Sequence, residues 1–483
     1  MGNGLPMTEC VCEKHIYYTE VIIMVVQHNL RAMNANRMLG ITQGTLSKSA
    51  EKLSSGYKVN RAADDAAGLA ISEKMRKQIR GLSQASLNAE DGISAVQTAE
   101  GALTEVHDML QRMNELAVKA ANGTNAVSDR QTIQDEVSQL LTEIDRVSET
   151  TKFNETYLLK GDADTKTVKV NAHDAGIEGT LTQNTTTATF KMNQLKTGDT
   201  IKIGGTEYTI GEVDAKAAFT ASITAAAAGD VVTVDGTQYT IAGTANPANP
   251  DKNVLAKADI IGLLKKSGSA VYKGRTFYDM DEDPKNAGVD KVNPNVITKE
   301  KAYAKIEEEL ALSSSIGATK KAATCAASTD VGDKRQFVIT KGEVDRKEGI
   351  TFALHVGADA DMTNKISVSI DALDTAGLGI KGLNVNDKNG AAGTYAIDAI
   401  ADAVAHVSAQ RSLLGAVQNR LEHTINNLDN VVENTTAAES QIRDTDMATE
   451  MVKYSNANIL SQAGQSMLAQ SNQANQGVLS LLG

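Results

Sequence analysis

The chain has no tryptophan, and only five prolines and three cysteines in 483 residues. Each scarcity excludes something. With aromatics at 4%, large rings cannot fill the core; the 41% of apolar residues are mostly aliphatic and alanine-rich, as in helix bundles. A disulfide framework or a cysteine-based zinc centre needs clustered pairs. Here Cys10 and Cys12 lie in an atypical leader and Cys325 stands alone. No run of about 18 apolar residues occurs, so no membrane-spanning helix is expected. The net charge of −12 and pI of about 5.2 disfavour general nucleic-acid binding and attraction to anionic membranes, and agree with simple solubility.

Catalytic signatures are missing too. His15, His28, His107, His173, His355, His406 and His423 form no HExxH motif, and no two lie four apart. There is no GxSxG, no P-loop and no GxGxxG. The acidic run Asp279–Asp283 meets Pro284 where a calcium loop would want glycine, and no glutamate closes it, so it is read as a solvated turn. No catalytic residue, metal or cofactor is expected, and the chain reads as a non-enzyme.

What is present follows the prolines. Pro247, Pro250, Pro284 and Pro294 are confined to the middle; 24–161 and 395–483 have none and carry helical periodicity. Residues 1–23 lack a basic start, an apolar core and a cleavage site, so no cleaved signal peptide is expected. They are read as upstream sequence before a start at Met24, or as a disordered extension. Leu39, Leu46 and Leu53 recur every seven residues before Gly56, a natural helix stop. Asp64 and Asp65 suit the start of a second helix over about 66–121. Its seam runs Ala89, Ile93, Val96, Ala99, Leu103, Val106, Leu110, Met113, Ala117, Ala120, a coiled-coil spacing. A third helix over about 129–149 returns antiparallel. The far end repeats the pattern over about 396–434 and 446–479, with Gln441–Asp444 interrupting.

The middle alternates instead. Gly198–Ile210 is echoed 31 residues later by Gly229–Ile241, each a strand, a Gly-Gly or Asp-Gly turn and a second strand. One small β-domain on a duplicated hairpin is expected. Helices are expected over 253–267 and 298–313, the latter capped by Thr298, and strands over 336–340, 350–356 and 366–370. The fold class is mainly α, a long antiparallel coiled-coil or helix-bundle rod formed by both chain ends with a β-rich (α+β) inserted region. The expected divisions are 1–23, 24–58, 59–161, 162–250, 251–394, 395–440 and 441–483.

Four motifs sharpen the reading: Leu53-Ser54-Ser55-Gly56 followed by Asn60–Gly68; Gln111–Asn125; Leu414–Leu421; and Ser466–Gln473. In type and order they resemble the terminal segments of bacterial flagellins, over about 24–161 and 395–483. The resemblance implies a self-assembling subunit of the extracellular flagellar filament, exported through the flagellar channel, with terminal helices lining that channel and the middle projecting outward. It implies an export chaperone, filament cap and hook-junction proteins, and a host Toll-like receptor as partners, without nucleic acid or membrane insertion. Leu39, Leu46, Leu53, Ile459, Leu460, Leu468, Leu479, Leu481 and Leu482 would carry polymerisation and chaperone binding. Arg112, Leu116 and Glu136 match the family's receptor site; the competing reading is that Leu116 packs the helical hairpin and the charges only solubilise it. A filament-borne metalloprotease would need the missing HExxH. A hook–filament junction protein shares the terminal helices but not the full motif set. The segments 24–58 and 446–483 are expected to order only on assembly, and about 162–345 to be dispensable for it.

Overall fold

The computed structural model describes residues 29–242 and 253–482. Eight helices order the described chain: α1 (Leu30–Ser55), α2 (Ala66–Ala121), α3 (Val127–Thr150), α4 (Ala215–Thr224), α5 (Lys257–Leu263), α6 (Lys299–Ser313), α7 (Ala391–Arg443) and α8 (Met447–Leu482). The chain divides into two compact units, one from residues up to Ser83 and from Asp429 onward, the other Gln84–Leu428. The expected leader, 1–23, lies outside the described residues.

In the terminal unit α1 starts at Asn29, whose side chain accepts from Ala32 N–H at 2.9 Å, and stops at left-handed Gly56 (φ 76°). Asp65 opens α2 by accepting from Gly68 N–H at 2.8 Å. α1 and α8 pair antiparallel. Asn29 Nδ2 donates to the Ser471 carbonyl at 3.3 Å, Leu39 faces Gly464, and Ser49 Oγ donates to Glu450 Oε1 at 2.7 Å. α7 continues through Arg443, so the expected interruption falls at Asp444–Asp446 rather than inside 441–444.

In the central unit the α2 seam is the core. Val96, Ala99, Leu103, Val106, Leu110, Met113, Ala117 and Ala120 are buried against Ile133, Val137 and Ile144 of α3 and Ala396, Ile400, Ala403, Val407 and Leu414 of α7. Threes and fours along each helix put these residues on one stripe. Arg130 of α3 closes the bundle end. Its guanidinium, 2% exposed, donates to the carbonyls of Ala120 (2.9 Å) and Asn122 (3.1 Å) at the α2 C-terminus, and to that of Lys388 (3.2 Å) ahead of α7. These helix-end carbonyls lack intrahelical donors, and a cation there also suits the helix dipole. Asp387 starts α7 by accepting from Gly390 N–H (2.6 Å) and Ala392 N–H (2.9 Å).

The middle segment forms separate sheets, not one small β-domain. The hairpin Thr200–Ile203/Thr206–Gly211 receives Val296–Thr298 in parallel, and α6 follows. The hairpin Val231–Val234/Thr237–Ile241 receives Val254–Leu255 in parallel, and α5 follows. The copies match atom for atom. Gly198 N–H donates to the Ile210 carbonyl (2.7 Å) and Gly229 N–H to the Ile241 carbonyl (2.8 Å); Thr209 N–H donates to the Asn295 carbonyl (2.9 Å) and Thr240 N–H to the Asn253 carbonyl (2.8 Å). The second copy lies between the first hairpin and its parallel strand, a nested duplication. Each copy has its own core: Ile203, Ile210, Ile297, Ile306 and Leu310 in one, Val232, Val234, Phe219, Ile260 and Phe277 in the other. In the sheet of each copy, strands from both sides of residue 250 pair.

A third hairpin of the same kind, Gly268–Tyr272/Arg275–Asp279, turns on Lys273-Gly274. Both turn residues have positive φ in all three hairpins: Gly204 and Gly205 (56° and 77°), Asp235 and Gly236 (49° and 79°), Lys273 and Gly274 (49° and 76°). That is the two-residue turn whose twist suits a hairpin. The helix expected over 253–267 shortens to α5, because Val254-Leu255 pair as a strand and Ser267 enters a turn at φ 62°. The helix over 298–313 and its Thr298 cap stand, with Lys301 N–H donating to Thr298 Oγ1 at 3.3 Å.

Two glycines of α7 separate close packing from open surface. A Cβ on Gly393 would lie 2.7 Å from Ala121 N and 3.0 Å from the Ala117 carbonyl oxygen, both backbone atoms of α2, whereas one on Gly415 would meet nothing within 4 Å. Gly393→Ala is expected to destabilise the monomer by about 1–3 kcal/mol through overpacking. Gly415→Ala is expected to stabilise it by about 0.5–1 kcal/mol through helix propensity. Urea melts followed by circular dichroism check both signs.

Candidate assembly and recognition surfaces

The pairing of α1 with α8 buries little. Its fully buried side chains are small or polar, among them Ser49 (3%), Ala457 (5%) and Ser461 (6%). Leu39, Leu46 and Leu53 are half-buried on the heptad stripe of α1, and Leu468 is half-buried on α8. Leu39 approaches Gly464 of α8, so this leucine takes part in the pairing within the chain. The large apolar residues face outward: Leu30, Met33, Met38 and Ile41 on α1, and Met447, Met451, Val452, Ile459, Leu460 and Met467 on α8 are 50–64% exposed. The α8 backbone runs through Leu479, Leu481 and Leu482, but their side chains lie outside the described residues.

Polar contacts set the register. Glu450, almost buried, accepts from Ser49 and pairs with Lys453 Nζ at 3.2 Å. The Ser49 hydrogen bond is the main cause holding its carboxyl below the usual 4.5. Asp446 caps α8 through Thr449 and Ala448, and the Thr449 hydroxyl holds its carboxyl low. Folding lowers both carboxyl pKa values, so the contribution is present above the usual carboxylate range. As pH falls through that range the unfolded chain takes up protons first, and the contribution is lost.

In the central unit the three expected receptor positions part company. Arg112 lies on the surface of α2. Its Nε donates to Glu136 Oε1 of α3 at 3.0 Å, and its Nη1 donates to Glu115 Oε2 at 2.8 Å. The two carboxylates, Glu115 first, raise the guanidinium pKa further and keep it charged. Leu116 is only 3% exposed and belongs to the bundle core. It packs the helical hairpin and offers no recognition surface, because one turn along α2 the apolar stripe has rotated inward. Glu115, three residues from Arg112, joins this charged cluster, and the i, i+3 spacing could have revealed the pair.

Other chemistry-bearing groups have structural roles. His173 is buried and His406 half-buried, and burial is the first cause holding both imidazoles below their usual value. The acidic run is not simply solvated. Asp279, 1% exposed, faces Lys266 Nζ at 3.3 Å, and buried Asp290 accepts from the N–H groups of Asp281, Val292 and Asn293. Among the described residues no cluster of His, Cys, Asp or Glu could hold a metal ion, and no helix is long and apolar enough to cross a membrane.

Known proteins match along almost the whole chain. The model of the bacterial flagellin N-terminal helical region matches residues 26–164, and that of the C-terminal helical region matches 397–482. A flagellin of Clostridium tyrobutyricum is 40% identical over 461 residues, covering 94% of this chain and 100% of that one. The chain belongs to the bacterial flagellin family. A Bacillus subtilis flagellin is 36% identical over 462 residues, covering 95% of this chain and 100% of its own. The flagellar hook associated protein-3 of Legionella pneumophila overlaps at a TM-score of 0.34 and 12% identity, covering 77% of this chain and 98% of that one; a score so low decides nothing. The chain is therefore a structural subunit of the bacterial flagellar filament, an extracellular assembly, and neither the junction-protein nor the filament-borne-enzyme reading is favoured.

In this flagellin Cys325, half-buried on the strand Thr324–Val331, has its thiol pushed up to about 12, mainly by burial. Thiolate is the reactive form. Alkylation of Cys325 at pH 8, followed peptide by peptide in a mass spectrometer, is expected to run at least about tenfold slower in the native protein than in urea.

Proposed function

We propose that the exposed apolar faces of α1 and α8 are the surfaces through which this subunit polymerises. The supporting observation is the inverted pairing, with serine and alanine inside and methionine, isoleucine, leucine and valine outside. Each such side chain gains about 1.5–3 kcal/mol on full burial, and an open head-to-tail repeat makes a filament rather than a ring. The segments 24–58 and 441–483 form the inner layer, 59–161 and 395–440 surround it, and 162–394 is the insert outside the assembly contacts. Helices with so little of their own core are marginal in water and order fully on assembly. The role is structural and non-catalytic. Ile459→Asp with Leu460→Asp, and separately deletion of 446–483, are expected to abolish polymerisation, measured by sedimentation and negative-stain imaging. Normal filaments from either would overturn this reading.

The α8 face also suits an export chaperone before assembly, since an amphipathic helix laid into an apolar groove is a common docking mode. Export through the flagellar channel then leads to contacts with cap and hook-junction proteins at the filament ends. Recognition by a host Toll-like receptor is assigned to the exposed Arg112–Glu136 pair, with Glu115 beside it and Leu116 only supporting the helix. A partly exposed arginine fork is a frequent hot spot. Arg112→Ala with Glu136→Ala is expected to weaken receptor binding by the monomer at least tenfold without moving its melting curve, and assembled filaments are expected to bind poorly. Surface-immobilised receptor ectodomain provides the assay.

A further inference from the structure

The terminal unit interrupts its helices twice, between α1 and α2 and between α7 and α8, and the two interruptions lie side by side. Lys58 N–H donates to the Arg443 carbonyl at 2.7 Å, and Thr445 N–H donates to the Gly56 carbonyl at 2.9 Å. Tyr57 and Asp444 thus face each other as in an antiparallel ladder. Lys58 Nζ reaches the Gln441 carbonyl at 3.1 Å, a group in the last turn of α7. Left-handed Gly56 lets α1 stop one residue before this stitch.

The side chains fasten it. The Arg443 guanidinium lies 4.9 Å from the centre of the Tyr57 ring, and its Nη1 is 2.7 Å from Glu73 Oε1 on α2. The Arg443 side chain is 12% exposed, and its buried Nε has no partner. Stacking and one ion pair, rather than a full set of hydrogen bonds, decide where this cation sits. A planar guanidinium on a ring face defines an orientation that a lysine ammonium cannot.

We propose that Arg443 is a positioning residue for assembly: with Tyr57 and Glu73 it fastens the two helix breaks together, so that α1 and α8 turn as one pair and present their apolar faces in a single orientation. The proposal rests on the reading that those faces carry polymerisation, which the Ile459 and Leu460 substitutions test independently, since none of the residues changed here lies on them.

The test compares Arg443→Ala, Arg443→Lys, Tyr57→Ala, Tyr57→Phe and the double alanine variant in the full chain. Arg443→Ala and Tyr57→Ala are each expected to raise the critical concentration for polymerisation at least about tenfold, and the double variant no further than Arg443→Ala, because either change removes the stack. Tyr57→Phe keeps the ring and is expected to assemble like the parent; Arg443→Lys keeps the charge but not the stack and is expected to fall between. Amide exchange should rise in 56–61 and 443–446 while 96–120 stays protected, and the filaments that form should differ in curvature. Parental critical concentration and curvature in both alanine variants, or effects that simply add in the double variant, would overturn the proposal. Should Arg443→Ala fail to fold, the contrast between Tyr57→Ala and Tyr57→Phe decides it.

Discussion

One buried cation holds the central unit in register. The end of α2 and the turn before α7 bring together backbone carbonyls that have no helical donors of their own, and the start of α3 carries the arginine that meets them. Arg130, 2% exposed, answers them with one fork of N–H groups, so leaving any of these carbonyls unpaired would carry the cost of a buried polar group. The same junction requires α2 and α7 to approach at backbone distance, which Gly390 and Gly393 permit. Once that end is closed, the apolar stripes of α2, α3 and α7 have one way to interlock. The segment before α7 is then clamped along α3 by Asp145 on Thr375 and by Gln134 on Leu383 and Val385.

The nested duplication shows how a chain can grow without disturbing such a bundle. A second hairpin, parallel strand and helix sits between the first hairpin and its own parallel strand, and each copy buries a separate core. Asp199 and Asp230, equivalent in the two copies, accept from the N–H groups of Lys196 and Ala227 and shape the same turn. Because the inserted copy satisfies its own backbone and apolar groups, it asks little of its host.

The two units handle apolar surface in opposite ways. The central bundle hides leucine, valine, isoleucine and methionine; the α1–α8 pair hides serine and alanine and leaves its large side chains in water. Small residues at the contact bring the helices close but contribute little hydrophobic free energy, which is why the exposed faces are proposed to complete the pair on assembly.

Periodicity determined a good deal alone. The boundaries of α2 and α6, the Gly56 stop, the Thr298 cap, the antiparallel pairing of the chain ends and the two strand-turn-strand echoes were all legible, because they rest on local backbone preference and on spacing that only one face can bury. The third hairpin escaped, since Lys273-Gly274 is a weaker turn signal than Asp-Gly or Gly-Gly although it adopts the same backbone. Nothing local marks Val254-Leu255 as a strand, because its pairing partner Thr240-Ile241 lies in the preceding hairpin. Which residues of an amphipathic stripe face inward was decided only by packing. Leu116 belongs to the core while Arg112, one turn away, is exposed; Leu39 faces Gly464 of α8 while Ile459 and Leu460 stay outside. No spacing rule reveals that Arg130 is buried or that Arg443 lies on Tyr57, because each answers groups that only tertiary structure brings within hydrogen-bond reach.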